Sequence, residues 1–346
     1  MAILPETEML SANSTASSGI HPSFLEILDK DFIAFYNEHF SDKPVTHTIS
    51  MAQIRVAGAQ FRSPWCRDYS GKSFVKDIQI QSEDGYRFTA RCYAPDKEKF
   101  GPGPYPIHVN FHGGGFVFGD LTADAQLCLE YRDKAGVLVM DIDYRLAPEN
   151  AFYKGHEDGW SAVQWVRKNG ATINGNTDSI SIGGISAGGH ICTVIQQYAR
   201  DACLPLKLAI LTVPSTDSHA AYEKPSDSKY TSFPENEFAP WLNWARMSYF
   251  RSYASPTDIT DVPPLVISPI DGDLNGVCPT MILTAQCDPL RDEGEAYAQK
   301  LIKNGVFTLS RRYTGVPHPF THMKPILKAV MYMDDVCKAL KMVHGS

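Results

Sequence analysis

The stretch Ile180-Ser181-Ile182-Gly183-Gly184-Ile185-Ser186-Ala187-Gly188 decides the fold of this chain. Ile180 and Ile182 read as a short strand, and Ala187 to Arg200 reads as a helix. The run Gly184–Gly188 then makes the turn between them and fits G-x-S-x-G. Such a pattern arises by chance about once in ten chains of this length. Its setting gives it weight. Between a strand and a helix, small residues permit a sharp turn that exposes the Ser186 hydroxyl. The rival reading is an ordinary glycine-rich connection.

The same alternation extends in both directions. Phe74–Gln81 and Phe88–Tyr93 flank the Asp84-Gly85 turn and predict a hairpin. Tyr105–Phe111, Val137–Tyr144, Leu206–Val213, Thr280–Ala285 and Val306–Tyr313 predict further strands. Helices are predicted at His21–Phe40, Ala151–Asn169, Glu293–Asn304 and Lys324–Lys341, the first from the spacing of Phe24, Leu28, Phe32 and Phe35. Strand and helix alternate from about residue 105 onward, which predicts an α/β fold with a mainly parallel sheet covered on both faces. Residues 214–264 break the alternation, and Phe238–Phe250 predicts a small helical insertion there.

Composition excludes other classes. The chain has 346 residues, 43% hydrophobic and 21% charged, ordinary for a globular protein able to bury a large core. Its 32 basic and 39 acidic residues give a net charge of −7 and no basic stripe, against nucleic-acid binding. No apolar run approaches the ~20 residues of a membrane helix. The eight cysteines are scattered without a C-x-x-C pair, which reads as reduced thiols. The N-terminus has early glutamates and no basic start, unlike a secretory signal, so its Asn13-Ser14-Thr15 sequon is read as chance. The expected location is the cytoplasm.

His112-Gly113-Gly114-Gly115-Phe116 follows the strand ending at Phe111. Successive glycines leave amide N–H groups free to bind an oxyanion during acyl transfer. A phosphate cradle would need Gly-Lys-Ser/Thr next, which is absent. A serine hydroxyl is a weak nucleophile that needs a base, and the base needs an orienting group. His318, in the loop Gly315-Val316-Pro317-His318-Pro319-Phe320 after the last strand, is the candidate base, with His322 its nearest rival. His112 and the lone His21, His47, His108, His156, His190 and His219 are read as structural. Asp288 directly follows the strand Thr280–Ala285 and is the candidate orienting acid. Asp292 and Glu293 suit a helix start on dipole grounds alone, and Asp271 and Asp273 precede the strand. The order Ser186…Asp288…His318 is that of an α/β-hydrolase.

His112–Phe116, Tyr144-Arg145-Leu146-Ala147-Pro148-Glu149, Gly184–Gly189, Asp288–Gly294 and His318-Pro319-Phe320 occur in one order across residues 105–320. Together they resemble the hormone-sensitive lipase family of α/β-hydrolases, a group of carboxylesterases and lipases. The resemblance implies an eight-stranded, mostly parallel sheet flanked by helices, with a helical cap. In those terms residues 1–50 are tail and cap helices, 51–213 the first part of the core, 214–264 the cap insertion and 265–346 the second part of the core. Tyr144–Glu149 becomes structural support beneath the site. The implied activity is serine carboxylic-ester hydrolysis by way of an acyl-enzyme. Its oxyanion hole is formed by the amides of Gly114, Gly115 and Ala187, with Gly113 as a further contributor.

Two positions depart from the family pattern. Ile185 stands where Asp, Glu or Thr is common, and Pro319 where Gly is frequent, stiffening the histidine loop. Tyr36, Phe118, Ile185, Trp241 and Trp244 are candidate substrate-pocket residues, with Phe35 and Tyr249 as further aromatics. The expected substrate is a small-molecule ester or lactone, with short to medium acyl chains. No metal or organic cofactor is required, and a homodimer is left open. A non-catalytic receptor of the same fold, or an acyltransferase using the same residues, remains an alternative.

Overall fold

The computed structural model describes residues 19–57, 63–219, 222–254, 262–324 and 326–345. The N-terminal Ser/Ala/Thr-rich run and its Asn13 sequon lie outside them.

Eight strands form one sheet: β1 (Val75–Gln81), β2 (Arg87–Tyr93), β3 (Tyr105–Phe111), β4 (Leu138–Ile142), β5 (Gly175–Ile185), β6 (Leu208–Thr212), β7 (Thr280–Cys287) and β8 (Thr308–Pro317). Their order is β1-β2-β4-β3-β5-β6-β7-β8. β1, β2 and β4 pair antiparallel, and every pairing from β4 to β8 is parallel. The helices are α1 (Lys30–His39), α2 (Met51–Ala57), α3 (Lys97–Phe100), α4 (Ala125–Ala135), α5 (Lys154–Asn169), α6 (Ala187–Asp201), α7 (Ser232–Glu235), α8 (Trp244–Ala254), α9 (Pro264–Ile267), α10 (Arg291–Lys303) and α11 (Leu327–His344).

Alternation along each buried strand feeds two cores. In β4, Leu138, Met140 and Ile142 pack with α5, α6 and α10, while Val139 faces the core of α1, α4 and α11. In β6, Ala209 and Leu211 join the first core, and Leu208 and Ile210 the second. Both faces are therefore apolar, which is why these strands read as unbroken hydrophobic runs.

Three elements differ from the sequence reading. β5 is longer than expected, because the polar segment Gly175–Asn176 pairs with Tyr105–Pro106 across an irregularity in the ladder. The helix expected over His21–Phe40 is divided into a single turn at Pro22–Phe24 and α1. Asp29 between them is extended, and its amide donates to the Gly315 carbonyl at 2.8 Å, an anchor that outweighs helical continuation. The helix expected over Phe238–Phe250 begins only at Trp244. Pro240 disfavours helical backbone before it, and Trp241 sits at φ 71°.

The N-terminal segment meets the insertion directly. Tyr249 on α8 donates its hydroxyl to the Ile49 carbonyl at 3.0 Å. No helix among the described residues is long and apolar enough to cross a membrane.

Candidate active site

Ser186 closes β5 and opens α6, at φ 57° and ψ −115°. This conformation is costly for a residue with a β-carbon, of order 1–3 kcal/mol. The surroundings enforce it. The Ser186 amide donates to the Thr212 carbonyl at the end of β6 (2.9 Å), and its own carbonyl accepts from His190 one turn into α6 (2.9 Å). The flanking glycines permit the turn. A β-carbon at Gly184 would lie 2.3 Å from Gly188 C, and one at Gly188 would lie 1.9 Å from the Phe111 carbonyl oxygen. G-x-S-x-G is thus a packing requirement between β5, α6 and the end of β3.

The glycine loop starts where β3 ends. A β-carbon on Gly113 would stand 3.5 Å from that of Ser186, so the loop runs alongside the hydroxyl-bearing residue. The Gly114 carbonyl accepts from the Val117 and Phe118 amides, at 3.1 and 2.9 Å. A β-carbon at Gly115 would lie 2.6 Å from the Phe250 ring on α8. His112 stacks on Tyr144 at 4.3 Å, and the Tyr144 hydroxyl donates to the His112 carbonyl at 2.7 Å. Next to it, the buried Arg145 guanidinium pairs with Asp158 at 2.7 Å and with Asp84 at 2.7 Å. Tyr144–Glu149 therefore braces the loop from below.

Asp288 follows β7 without a gap and is fully buried. One carboxylate oxygen accepts the Leu290 amide at 2.9 Å, and the other lies 2.8 Å from His318 Nδ1. β8 runs on to Pro317, which delivers His318 beside the end of β7. Ser186, His318, Gly113, Gly114, Gly115 and Ile185 all line one cavity of about 130 Å³. A second cavity, of about 220 Å³ and mostly apolar, shares Ser186 and Gly115 with it and adds Ala187, Trp244 and Met247.

The other candidates sort as follows. His322, the rival base, lies 2.7 Å from Asp124. Burial alone would raise the Asp124 carboxyl, but the hydrogen bond and charge of His322 hold it below the ordinary range. Asn110 bridges Asp124 and Asp141 at 3.1 and 2.8 Å. Burial, reinforced by the Asp124 charge, keeps the Asp141 carboxyl well above its ordinary range. Glu293 is engaged with His219 (2.5 Å) and the Thr216 amide (2.7 Å), and Asp292 with the Ser232 amide (2.8 Å). Asp271 and Asp273 accept from Ser268 and Asn275 and line none of these cavities.

The pocket candidates divide. Ile185, Trp241 and Trp244 line the two cavities. Tyr36 does not, because α1 turns it toward a third cavity with Phe40 and Trp241. Phe118 instead packs edge-on against Phe250 at 5.2 Å. Phe35 and Tyr249 also lie outside the lining of both cavities. Sequence reasoning missed Met247, Phe250, Arg251 and Ala254, which line the larger cavity. Their i, i+3, i+4, i+7 spacing on α8 was the available signal. Among the described residues no group of three or more His, Cys, Asp or Glu side chains is placed to hold a metal ion.

A family model described as alpha/beta hydrolase fold matches residues 108–322. The chain is 31% identical over 313 residues to an AB hydrolase superfamily protein of Schizosaccharomyces pombe, covering 87% of this chain and 89% of that protein. It is 37% identical over 205 residues to carboxylesterase NlhH of Mycobacterium tuberculosis, covering 58% of this chain and 62% of that protein, under two thirds of its length. Among solved structures, an ester-hydrolase from the metagenome of Lake Arreo, complexed with a derivative of bipyridine phosphonate, superposes with a TM-score of 0.82. The two are 28% identical, over 92% of this chain and 100% of that chain.

Proposed function

The chain belongs to the alpha/beta hydrolase fold family, and on that premise we propose how it acts as a serine carboxylic-ester hydrolase. Ser186 attacks the ester carbonyl while Nε2 of His318 takes the hydroxyl proton. Asp288 accepts the Nδ1–H of His318, fixes the tautomer and stabilises the imidazolium that forms. The amides of Gly114, Gly115 and Ala187, with Gly113 contributing, bind the oxyanion. Each such donor typically lowers the barrier by about 2.7–4 kcal/mol. His318 returns its proton to the departing alkoxide, leaving an acyl group on Ser186. Water, deprotonated by the same imidazole, then releases the acid and restores the serine. One observation carries this reading: His318 stands 2.8 Å from Asp288 while sharing a cavity with Ser186 and the glycine loop.

The substrate is a small-molecule ester of short to medium acyl length, or a lactone. Acyl and alcohol groups take the two cavities that meet at Ser186. In this reading the described parts of 1–50, a tail with cap helices, and of the insertion 214–264 supply the cap, over a core within 51–213 and 265–346. Eight free cysteines, five of them buried, fit a reducing cytoplasmic setting.

Release of p-nitrophenol from p-nitrophenyl butyrate tests the assignment. The purified protein should turn the ester over, and a serine-reactive organophosphonate should stop it. Ser186→Ala should reduce kcat on the order of 10⁶-fold. Undiminished turnover in that variant overturns the role of Ser186, and binding without turnover in the parent protein would mark a receptor.

A further inference from the structure

Arg246, on the first turns of α8, lines two cavities at once. One is the cavity holding Ser186 and His318; the other, of about 250 Å³, lies between residues 43–47 and 238–246. Trp241 is likewise common to both, so side chain and ring form a shared partition. The guanidinium sits over the Trp241 and Phe250 rings, 5.7 and 5.4 Å from their centroids. Nη1 donates to the Trp241 carbonyl at 2.9 Å. Nε is sealed from solvent and has no acceptor.

The outer cavity repeats that imbalance. Thr46 Oγ1 and His47 Nδ1, both in its wall, are also buried without partners. Lys43 adds a second cation, and among the described residues no Asp or Glu lines this cavity. Burial draws Arg246 down to about 10, opposed only by the Tyr36 hydroxyl, and the Arg246 charge adds to burial in lowering His47. The half-buried guanidinium has no carboxylate partner among the described residues, its sealed Nε lacks an acceptor, and the rings offer it none. A planar carboxylate supplies both the charge and two acceptors in the geometry of the fork.

Building on the ester-hydrolase reading above, we infer that the preferred substrates are esters bearing a free carboxylate, seated against Arg246 while the ester carbonyl lies at Ser186. The hemiester of a short dicarboxylic acid has this form. Its acyl chain crosses the Trp241 partition, and its charge meets Arg246, Thr46 and Lys43 in the outer cavity. Hydrolysis would then release a dicarboxylate and the alcohol.

The test compares mono-p-nitrophenyl glutarate with its methyl ester, the same skeleton with the charge removed. The full-length protein should show a kcat/KM ratio of charged to neutral ester of about ten or more. In Arg246→Met that ratio should fall by about ten- to a hundredfold, and Arg246→Lys should keep part of it. Taking the ratio within each variant cancels any general loss of activity. A parent ratio at or below one, or a ratio that R246M leaves unchanged, overturns the inference. The parent ratio needs no variant, so it decides even where R246M fails to fold. Calorimetric titration of Ser186→Ala with monomethyl and dimethyl glutarate separates the two claims. Preferential binding of the monoester, lost when R246M is added, supports the carboxylate site even if no ester is turned over. Equal binding of both esters removes it even in an active esterase.

Discussion

Nε2 of His322 lies 2.7 Å from Oδ1 of Asp124, forming a second imidazole–carboxylate pair four residues beyond the one that His318 makes with Asp288. Both imidazoles line the cavity that holds Ser186. They differ in what stands behind them. Asp288 hangs from the end of β7, whereas Asp124 belongs to the Asn110–Asp141 network under the glycine loop.

That contrast separates the two histidines experimentally. His318→Gln should lower kcat on the order of 10⁶-fold, and, by taking a partner from the buried Asp288 carboxylate, should also lose about 1–3 kcal/mol of stability. His322→Gln should likewise leave the buried Asp124 carboxylate short of a partner and lose about 1–3 kcal/mol of stability, but keep most of its turnover. Urea unfolding read beside p-nitrophenyl butyrate turnover distinguishes these outcomes. Equal catalytic losses in the two variants would reverse the choice of base.

Asp288→Asn should keep the fold and lose about 10⁴-fold in kcat. The Leu290 amide needs an acceptor, so the new side chain turns its carbonyl there and its NH₂ toward His318. Nδ1 must then accept, the ring proton moves to Nε2, and the nitrogen facing the serine can no longer take a proton. Steady-state kinetics with a thermal melt as control measures this.

Gly188→Ala should be among the most damaging single-methyl additions in the chain. Its β-carbon would fall 1.9 Å from the Phe111 carbonyl oxygen and 2.7 Å from that of His112. Both are backbone atoms, so β3 and α6 must separate, with an expected loss above about 4 kcal/mol. Gly305→Ala is the control. Its φ is 73° with open space around it, so it should cost only the left-handed penalty of about 1–2 kcal/mol. Soluble yield and thermal unfolding of the pair give the comparison.

Asp141 makes stability fall with rising pH. Its folded carboxyl titrates well above the ordinary range because burial, then the Asp124 charge, disfavour ionisation. Above about pH 4 the unfolded chain has released this proton while the folded chain holds it, at a cost of about 1.4 kcal/mol per pH unit. Asp141→Asn removes the titration, and its amide can still accept from Asn110. The variant should therefore gain stability relative to the parent between pH 5 and pH 8, as measured by urea unfolding across that interval. A constant difference would mean that Asp141 is ionised in the folded protein.

Much of this was legible in the linear chain. β3 coincides with its apolar run Tyr105–Phe111, because a strand covered on both faces has no polar alternation to blur its ends. Ser186, His318 and the glycine loop share a cavity, and Asp288 backs His318, as the order of the motifs predicts. The start of β5 was hidden because Gly175–Ser179 is polar, and only its neighbour β3 makes it a strand. Tyr36 and Phe118 were misplaced because aromatic residues fill small cores as readily as they line pockets. Arg246 gave no signal, since a cation on a short helix ordinarily reads as a solvated face. Its isolation from any carboxylate becomes visible only once the neighbouring elements are assembled around it.

Phe250 rests so closely on Gly115 that the position tolerates no further atom. Roof and floor of the reaction chamber consequently share a hinge pin of fixed total volume. A lineage that enlarges residue 115 must slim residue 250 at the same stroke, or prop the roof ajar. Drift in the insertion is thereby tethered to the glycine loop, and exchange of substrates by remodelling the roof must proceed around this one fixed point.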